Sequence, residues 1–174
     1  NIIKMRQPEL LERTQFAVIG GDPQDKTDAD MLSLRTLTAS LGLEDVVSFL
    51  GAKNQEELAT WYAAATTVVM PSEYESFGMV ALEAMAMGTP VIASEVGGLA
   101  YLVRDNETGC LVPSRSPEAL ADRITHMLTH PAQRQAMGEK AVALAERYAW
   151  EIIAQRLLHG FEDVLSRRRG AYAL

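Results

Sequence analysis

The stretch Pro71-Ser-Glu-Tyr-Glu-Ser-Phe-Gly-Met-Val-Ala-Leu-Glu-Ala-Met-Ala-Met-Gly-Thr-Pro-Val-Ile-Ala-Ser94 decides how the rest of the chain is read. Just before it, Thr66-Thr-Val-Val-Met70 is an apolar, β-branched run without alternation, the pattern of a strand covered on both faces of a parallel sheet. Pro71 ends that run, and a polar loop from Ser72 to Gly78 carries Glu73 and Glu75. Met79 to Met87 then reads as a helix that is apolar nearly all round except for Glu83, which predicts burial. An ionised carboxylate in a buried helix costs several kcal/mol unless something hydrogen-bonds it, so Glu83 needs a partner.

Two kinds of partner fit. A basic side chain such as Arg104 would make a buried ion pair, the ordinary structural solution. Ligand hydroxyls would do the same work, and the loop favours them. Glu75 stands just beyond the strand exit, and the amides of Phe77, Gly78, Met79 and Val80 open a helix N-terminus, which attracts anions such as phosphate. Gly78 lets a ligand approach the backbone closely. A phosphate at the helix start, one carboxylate in the loop and another inside the helix suit a sugar nucleotide.

Outward from this stretch, strands alternate with helices, which predicts α/β architecture with a parallel sheet. Phe16-Ala-Val-Ile-Gly-Gly21 reads as a buried strand, and the polar loop Asp22 to Asp30 after it lacks the Gly-x-Gly-x-x-Gly of a dinucleotide site. Met31, Leu34, Leu37 and Leu41 follow at near-helical spacing as a core stripe that stops at Gly42. Val46 to Gly51 is a second strand. Asn54 and Glu57 form a capping box for a helix in which Trp61 and Tyr62 read as packing residues. Pro90 to Ser94, a Gly97-Gly98 turn, a short helix from Leu99 to Arg104 and an edge-like strand Cys110 to Pro113 come next. Gly97 and Gly98 either permit the turn or face the ligand crevice at the carboxyl strand ends. Ser116-Pro117-Glu118 predicts an N-cap, an N1 proline and an acidic first turn, with Leu120, Ile124 and Leu128 on the buried face. Two further helices carry Met137, Ala141, Leu144, Ala145 and Tyr148, then Ile153, Leu157, Phe161 and Val164. Asn1 to Arg13 has no clean period.

Composition narrows the function. At 174 residues the chain fits one domain, and its net charge of −7 with no basic stripe argues against a nucleic-acid surface. The single cysteine, Cys110, excludes an intrachain disulfide and reads as a core thiol in a reducing compartment. No apolar run approaches the ~20 residues of a transmembrane helix. His126, His130 and His159 lie on predicted helical or helix-edge positions, and no Ser-His-Asp or HExxH pattern occurs.

Glu75-Ser-Phe-Gly-Met-Val-Ala-Leu-Glu83, continued to Ser94 and then Val96-Gly-Gly98, resembles the E-x7-E signature of the retaining GT-B glycosyltransferases of family 4, with weaker echoes from Phe16 to Leu165. Sucrose-phosphate synthases and inositol-phosphate glycosyltransferases belong to that family. The resemblance implies a Rossmann-like parallel sheet with helices on both faces, the C-terminal half of a GT-B fold, with extra C-terminal helices. It implies a single nucleotide-sugar-binding domain over residues 1–174, supplying the donor-binding half for glycosyl transfer with retention. Glu83 would hold the ribose hydroxyls. Glu75, the catalytic carboxylate, would hold the donor sugar with Ser76, Phe77 and Gly78, and the Met79 and Val80 amides the diphosphate. Gly51, Ala52 and Lys53 would lie beside the nucleobase, although Lys53 equally fits a solvated loop lysine. No cofactor or protein-bound metal is implied by the resemblance. The partners would be a nucleotide-diphosphate sugar and a sugar, polyol or lipid acceptor held by an N-terminal domain.

The family's Gly-Arg pair and later Lys, which grip the diphosphate, have no counterpart at Lys4 or Arg6, so the front of the domain is expected to be missing. The chain alone is then expected to bind without catalysing. The expected location is cytoplasmic, with a peripheral membrane role for Arg167-Arg-Arg169 competing against a solvated helix end. A GT-B sugar-nucleotide 2-epimerase and a catalytically silent nucleotide-sugar module are the alternative functions. Nucleobase, sugar and acceptor stay open.

Overall fold

A computed structural model describes residues 1–22 and 28–171, with side chains through residue 167. Residues 23–27 of the predicted polar loop, and the Arg168 and Arg169 side chains, lie outside the described residues. The elements run α1 (Ile2–Arg6), α2 (Pro8–Leu11), β1 (Phe16–Ile19), α3 (Ala29–Ser40), β2 (Val47–Gly51), α4 (Gln55–Ala64), β3 (Val68–Met70) and α5 (Met79–Ala86). Then come β4 (Val91–Ser94), α6 (Leu99–Leu102), β5 (Gly109–Val112), α7 (Pro117–Thr129), α8 (Pro131–Ala145), a 3-10 turn at Glu146–Tyr148 and α9 (Trp150–Ala171).

Every strand pair is parallel, and each crossover carries a helix, as parallel pairing requires. The strands form two sheets, β1-β2 and β3-β4-β5, where the sequence predicts one. No strand among the described residues pairs β1 with β3, so β4 is the one strand with a neighbour on each side. Helices cover both faces. Val91 and Ala93 of β4 pack with Ala81, Ala84 and Met85 of α5, Leu99 and Leu102 of α6 and Ala141 of α8. Ile92, pointing the other way along the strand, packs with Cys110, Val112, Ile124 and Met127, and with Ile3 and Leu10 of the N-terminal helices.

Several local predictions hold. The Asn54 side chain accepts from the Glu57 amide at 2.9 Å while Glu57 accepts from the Asn54 amide at 3.1 Å, completing the capping box. Gly42 takes the left-handed conformation, φ +60°, that ends α3. Cys110 is a buried free thiol, and its burial pushes its pKa up.

Others are corrected. The aperiodic N-terminus folds as two helices of five and four residues, too short to show a period. On α3 Met31 is buried, but Leu34 and Leu37 are 47% and 53% exposed, because the β1-β2 sheet is itself half-buried and offers little surface to cover them. α5 buries only one face, through Ala81, Ala84 and Met85, and leaves Met79, Val80 and Met87 exposed. The sheet and α8 cover that face, where a Cβ on Gly138 of α8 would overlap the Gly88 carbonyl oxygen. Ser116 makes no side-chain cap, although Pro117 does open α7. The buried face of α7 is Ala121, Ile124 and Met127, with Leu120 and Leu128 half-buried beside it. Trp61 is exposed while Tyr62 is buried, and Leu157, Phe161 and Val164 of α9 are exposed. No helix among the described residues is long and apolar enough to cross a membrane.

Candidate functional site

The site is built where β3 and β4 end. β3 stops at Met70, Pro71 turns the chain, and the loop to Gly78 is fixed from the side by the turn after β4. The Gly98 amide donates to the Glu75 carbonyl at 2.9 Å. A Cβ on Gly97 would overlap that same carbonyl oxygen, and one on Gly98 would overlap the Phe77 backbone. The two glycines therefore do more than permit a turn. They let two loop backbones touch, which positions Glu75 and Phe77.

Glu75 turns its side chain back onto the start of α5. Its Oε1 accepts from the Phe77 amide at 3.3 Å and the Gly78 amide at 3.2 Å. Gly78 is the N-cap of α5 at φ +98°, a conformation that a side chain would strain, and a Cβ there would lie 2.8 Å from Leu99 Cδ2. The Met79 and Val80 amides follow in the first turn, where an α-helix leaves donors without intrahelical partners. Phe77 sets its ring edge-on to Tyr148 at 5.8 Å, and Ser76 is exposed.

The loop's other carboxylate has a different fate. Arg115 donates two hydrogen bonds to Glu73, at 2.8 and 2.5 Å, and these hold the Glu73 carboxyl below its usual range. Glu73 is thus committed to the protein. A cavity of about 180 Å³ beside this pair is lined by Pro71, Ser94, Val112 and Leu120. A larger cleft of about 420 Å³ lies between Thr66, Pro90 and Pro131, at the amino ends of β3 and β4. That is the wrong end for a ligand crevice in a doubly wound sheet.

Glu83 is half-buried on α5, and it has no ion pair among the described residues. Arg104, the proposed structural partner, instead reaches Glu107 at 3.5 Å. The neighbour of Glu83 is Tyr62 of α4, whose hydroxyl donates to Glu83 Oε2 at 3.2 Å. Burial first, then the Glu83 charge and this hydrogen bond, push the Tyr62 phenol up to about 12. Spacing gave no signal of this contact, because the two residues stand on different helices.

Gly51 ends β2 at φ +72°, and its carbonyl accepts from the Gly20 amide while the Ala52 amide donates to Gly21. Lys53 pairs with Glu57 at 3.9 Å, one turn along α4, so it is engaged locally. These three residues hydrogen-bond to neither Glu75 nor Glu83. Among the described residues, no group of three or more His, Cys, Asp or Glu is placed to hold a metal ion.

Comparison with known proteins follows the same lines. The profile of the family described as glycosyl transferases group 1 matches residues 3–143. The chain is 44% identical over 156 residues to the D-inositol 3-phosphate glycosyltransferase of Kribbella flavida, an alignment covering 90% of this chain and 37% of that protein. Among solved structures, it is similar to a sucrose-phosphate synthase from Thermosynechococcus elongatus, with a TM-score of 0.78 and 39% identity over 88% of this chain and 39% of that one. It is also similar to Alr3699/HepE of Anabaena in complex with UDP-glucose, with a TM-score of 0.74 and 25% identity over 89% of this chain and 43% of that one. The chain spans little more than a third of the length of the curated relative.

Proposed function

The chain belongs to the glycosyl transferases group 1 family, and from that premise we propose that it is the donor-binding half of a retaining GT-B glycosyltransferase of family 4 type. The observation that carries the reading is a pair of half-used carboxylates. Glu75 has Oε1 held by two amides and Glu83 has Oε2 held by Tyr62, while the second oxygen of each has no partner among the described residues. Glu73, two residues from Glu75, is fully engaged by Arg115 and is no candidate.

In this reading the free oxygen of Glu83 accepts from the ribose hydroxyls. Glu75, with Ser76, Phe77 and Gly78, takes the donor sugar, the Phe77 and Gly78 amides holding its Oε1 so that the other oxygen faces the ligand. The Met79 and Val80 amides take the diphosphate at the positive end of α5. Gly51, Ala52 and Lys53 face the nucleobase. Glycosyl transfer separates an oxocarbenium-like sugar from an anionic diphosphate, and this arrangement sets a carboxylate beside the first and helix amides beside the second. Retention of configuration rests on the E-x7-E resemblance. The acceptor, a sugar, polyol or lipid, is held by a part of the protein outside this chain. The names of the Kribbella and Thermosynechococcus relatives favour a phosphorylated polyol or sugar. Transfer by the isolated chain is not expected. A cytoplasmic location belongs to the same proposal and rests on the free Cys110 thiol.

No metal takes part in this scheme, since α5 supplies the positive potential at the diphosphate. Calorimetry against UDP-, GDP- and ADP-sugars in the presence of EDTA tests both points. One of the three is expected to bind. Binding that appears only when Mn2+ or Mg2+ is restored would contradict the assignment of the diphosphate to the start of α5.

A further inference from the structure

We propose that Tyr62 is the positioning residue for the ribose-binding carboxylate, aiming Glu83 without touching the ligand. The proposal rests on the assignment of Glu83 to the ribose. Its ground is a double tie between α4 and α5. The Tyr62 hydroxyl donates to Glu83 Oε2 at 3.2 Å, and the Tyr62 carbonyl accepts from the Thr89 hydroxyl at 2.6 Å. Thr89 is 3% exposed, and its own amide donates to the Ala84 carbonyl of α5 at 3.0 Å. The backbone of Tyr62 is therefore anchored to the segment that closes α5, and its ring reaches back to a side chain in the middle of that helix. With the residue only 7% exposed, the ring has little room to choose another direction.

A phenol donates one hydrogen bond and stays protonated here well above neutrality, so it prefers an acceptor and repels no anion. Given to Oε2, that bond fixes the carboxylate plane and leaves Oε1 for ligand hydroxyls. A glutamate held this way has less rotamer freedom to lose when a nucleotide arrives, which is the usual benefit of a preorganised site. Tyr62 reads as plain core in the sequence, and its burial is real, so packing and positioning must be told apart by experiment.

The test uses the full-length protein, with nucleotide affinity measured by calorimetry. The probes are whichever of UDP, GDP and ADP binds most tightly and the same nucleotide lacking both ribose hydroxyls. Tyr62→Phe keeps the ring and removes the donor. It is expected to weaken the natural diphosphate by about three- to tenfold, the size of one hydrogen bond, and the dideoxy form by less than about twofold. In a Glu83→Gln background the same change is expected to add nothing further. A thermal melt accompanies each variant, and NMR of the tyrosine ring carbon should show the Tyr62 titration moving down in Glu83→Gln. Equal weakening of both nucleotides by Tyr62→Phe, losses that multiply in the double variant, or no loss at all would each overturn the proposal and leave Tyr62 a packing residue. If Glu83→Gln weakens the two nucleotides equally, or no diphosphate binds, the ribose assignment itself fails and the proposal falls with it. If Glu83→Gln discriminates and Tyr62→Phe does not, only the positioning role is lost.

Discussion

The two sheets of this molecule are built from similar sequence but packed to different depths. In β4 all four residues are buried, and β5 is buried at three of its four positions. In β1 and β2 the apolar side chains are only half-buried, and α3 above them leaves Leu32, Leu34 and Leu37 exposed. The difference is one of layers rather than of residue type. β4 has a strand on each side and helices on both faces, whereas β1 and β2, among the described residues, pair only with each other. Both site carboxylates belong to the deeply packed half, on α5 and on the loop clamped by Gly97 and Gly98. A site whose geometry must persist without ligand is held by the half that has a complete core.

Truncation of the core in each half should break the symmetry most visibly. Ile92 is fully buried at the centre of the three-stranded sheet, and Ile92→Ala is expected to cost about 2–5 kcal/mol in a denaturant melt. Leu37→Ala, at a similarly apolar position of α3, is expected to stay within about 0.5 kcal/mol because the side chain is 53% exposed. Comparable losses at the two positions would mean that the β1-β2 half is packed more fully than its exposure indicates.

A smaller change sharpens the link between packing and site. In Gly98→Ala the new methyl overlaps the Phe77 backbone, which cannot swing aside as a side chain would. An overpacking cost of about 1–3 kcal/mol is expected, together with weaker nucleotide-sugar binding as the Phe77 and Gly78 amides shift. Unchanged stability and unchanged binding would show that the two loops are not locked together.

Local features were the legible part of the sequence. The Asn54-Glu57 capping box, the Gly42 terminus, the strand ending at Ser94 and the loop-helix stretch from Glu75 to Glu83 each depend on neighbours within a few residues, and each appears where the pattern puts it. The run from Thr66 to Met70, read as covered on both faces, instead forms a three-residue strand whose Val68 and Val69 are only half-buried. Periodicity marks a face as apolar without saying whether a layer exists to cover it. The stripe of α3 and the outer face of α5 are therefore exposed where apolarity alone predicts burial. Tertiary partners were illegible for a related reason. Glu83 visibly needed a hydrogen-bond donor, but Tyr62 lies 21 residues away on another helix, and Arg115 reaches Glu73 across 42 residues. The engagement of Glu75 with its own helix amides was within reach of local reasoning, since an acidic side chain just before a helix start is an ordinary capping group.

The most direct measurement compares Glu83→Gln with Glu75→Gln in the full-length protein, each titrated with the free nucleoside diphosphate and with the matching nucleotide sugar. A charged hydrogen bond is worth about 1.5–3 kcal/mol, or about ten- to 150-fold in affinity. Glu83→Gln should weaken both ligands by a similar factor in that range, because the ribose is common to them. Glu75→Gln should weaken the nucleotide sugar and leave the free diphosphate nearly unchanged, with both variants melting close to the parent. If Glu75→Gln weakens the free diphosphate as much as the sugar nucleotide, or Glu83→Gln lowers the melting temperature without changing affinity, the two carboxylates do not divide the donor between sugar and ribose.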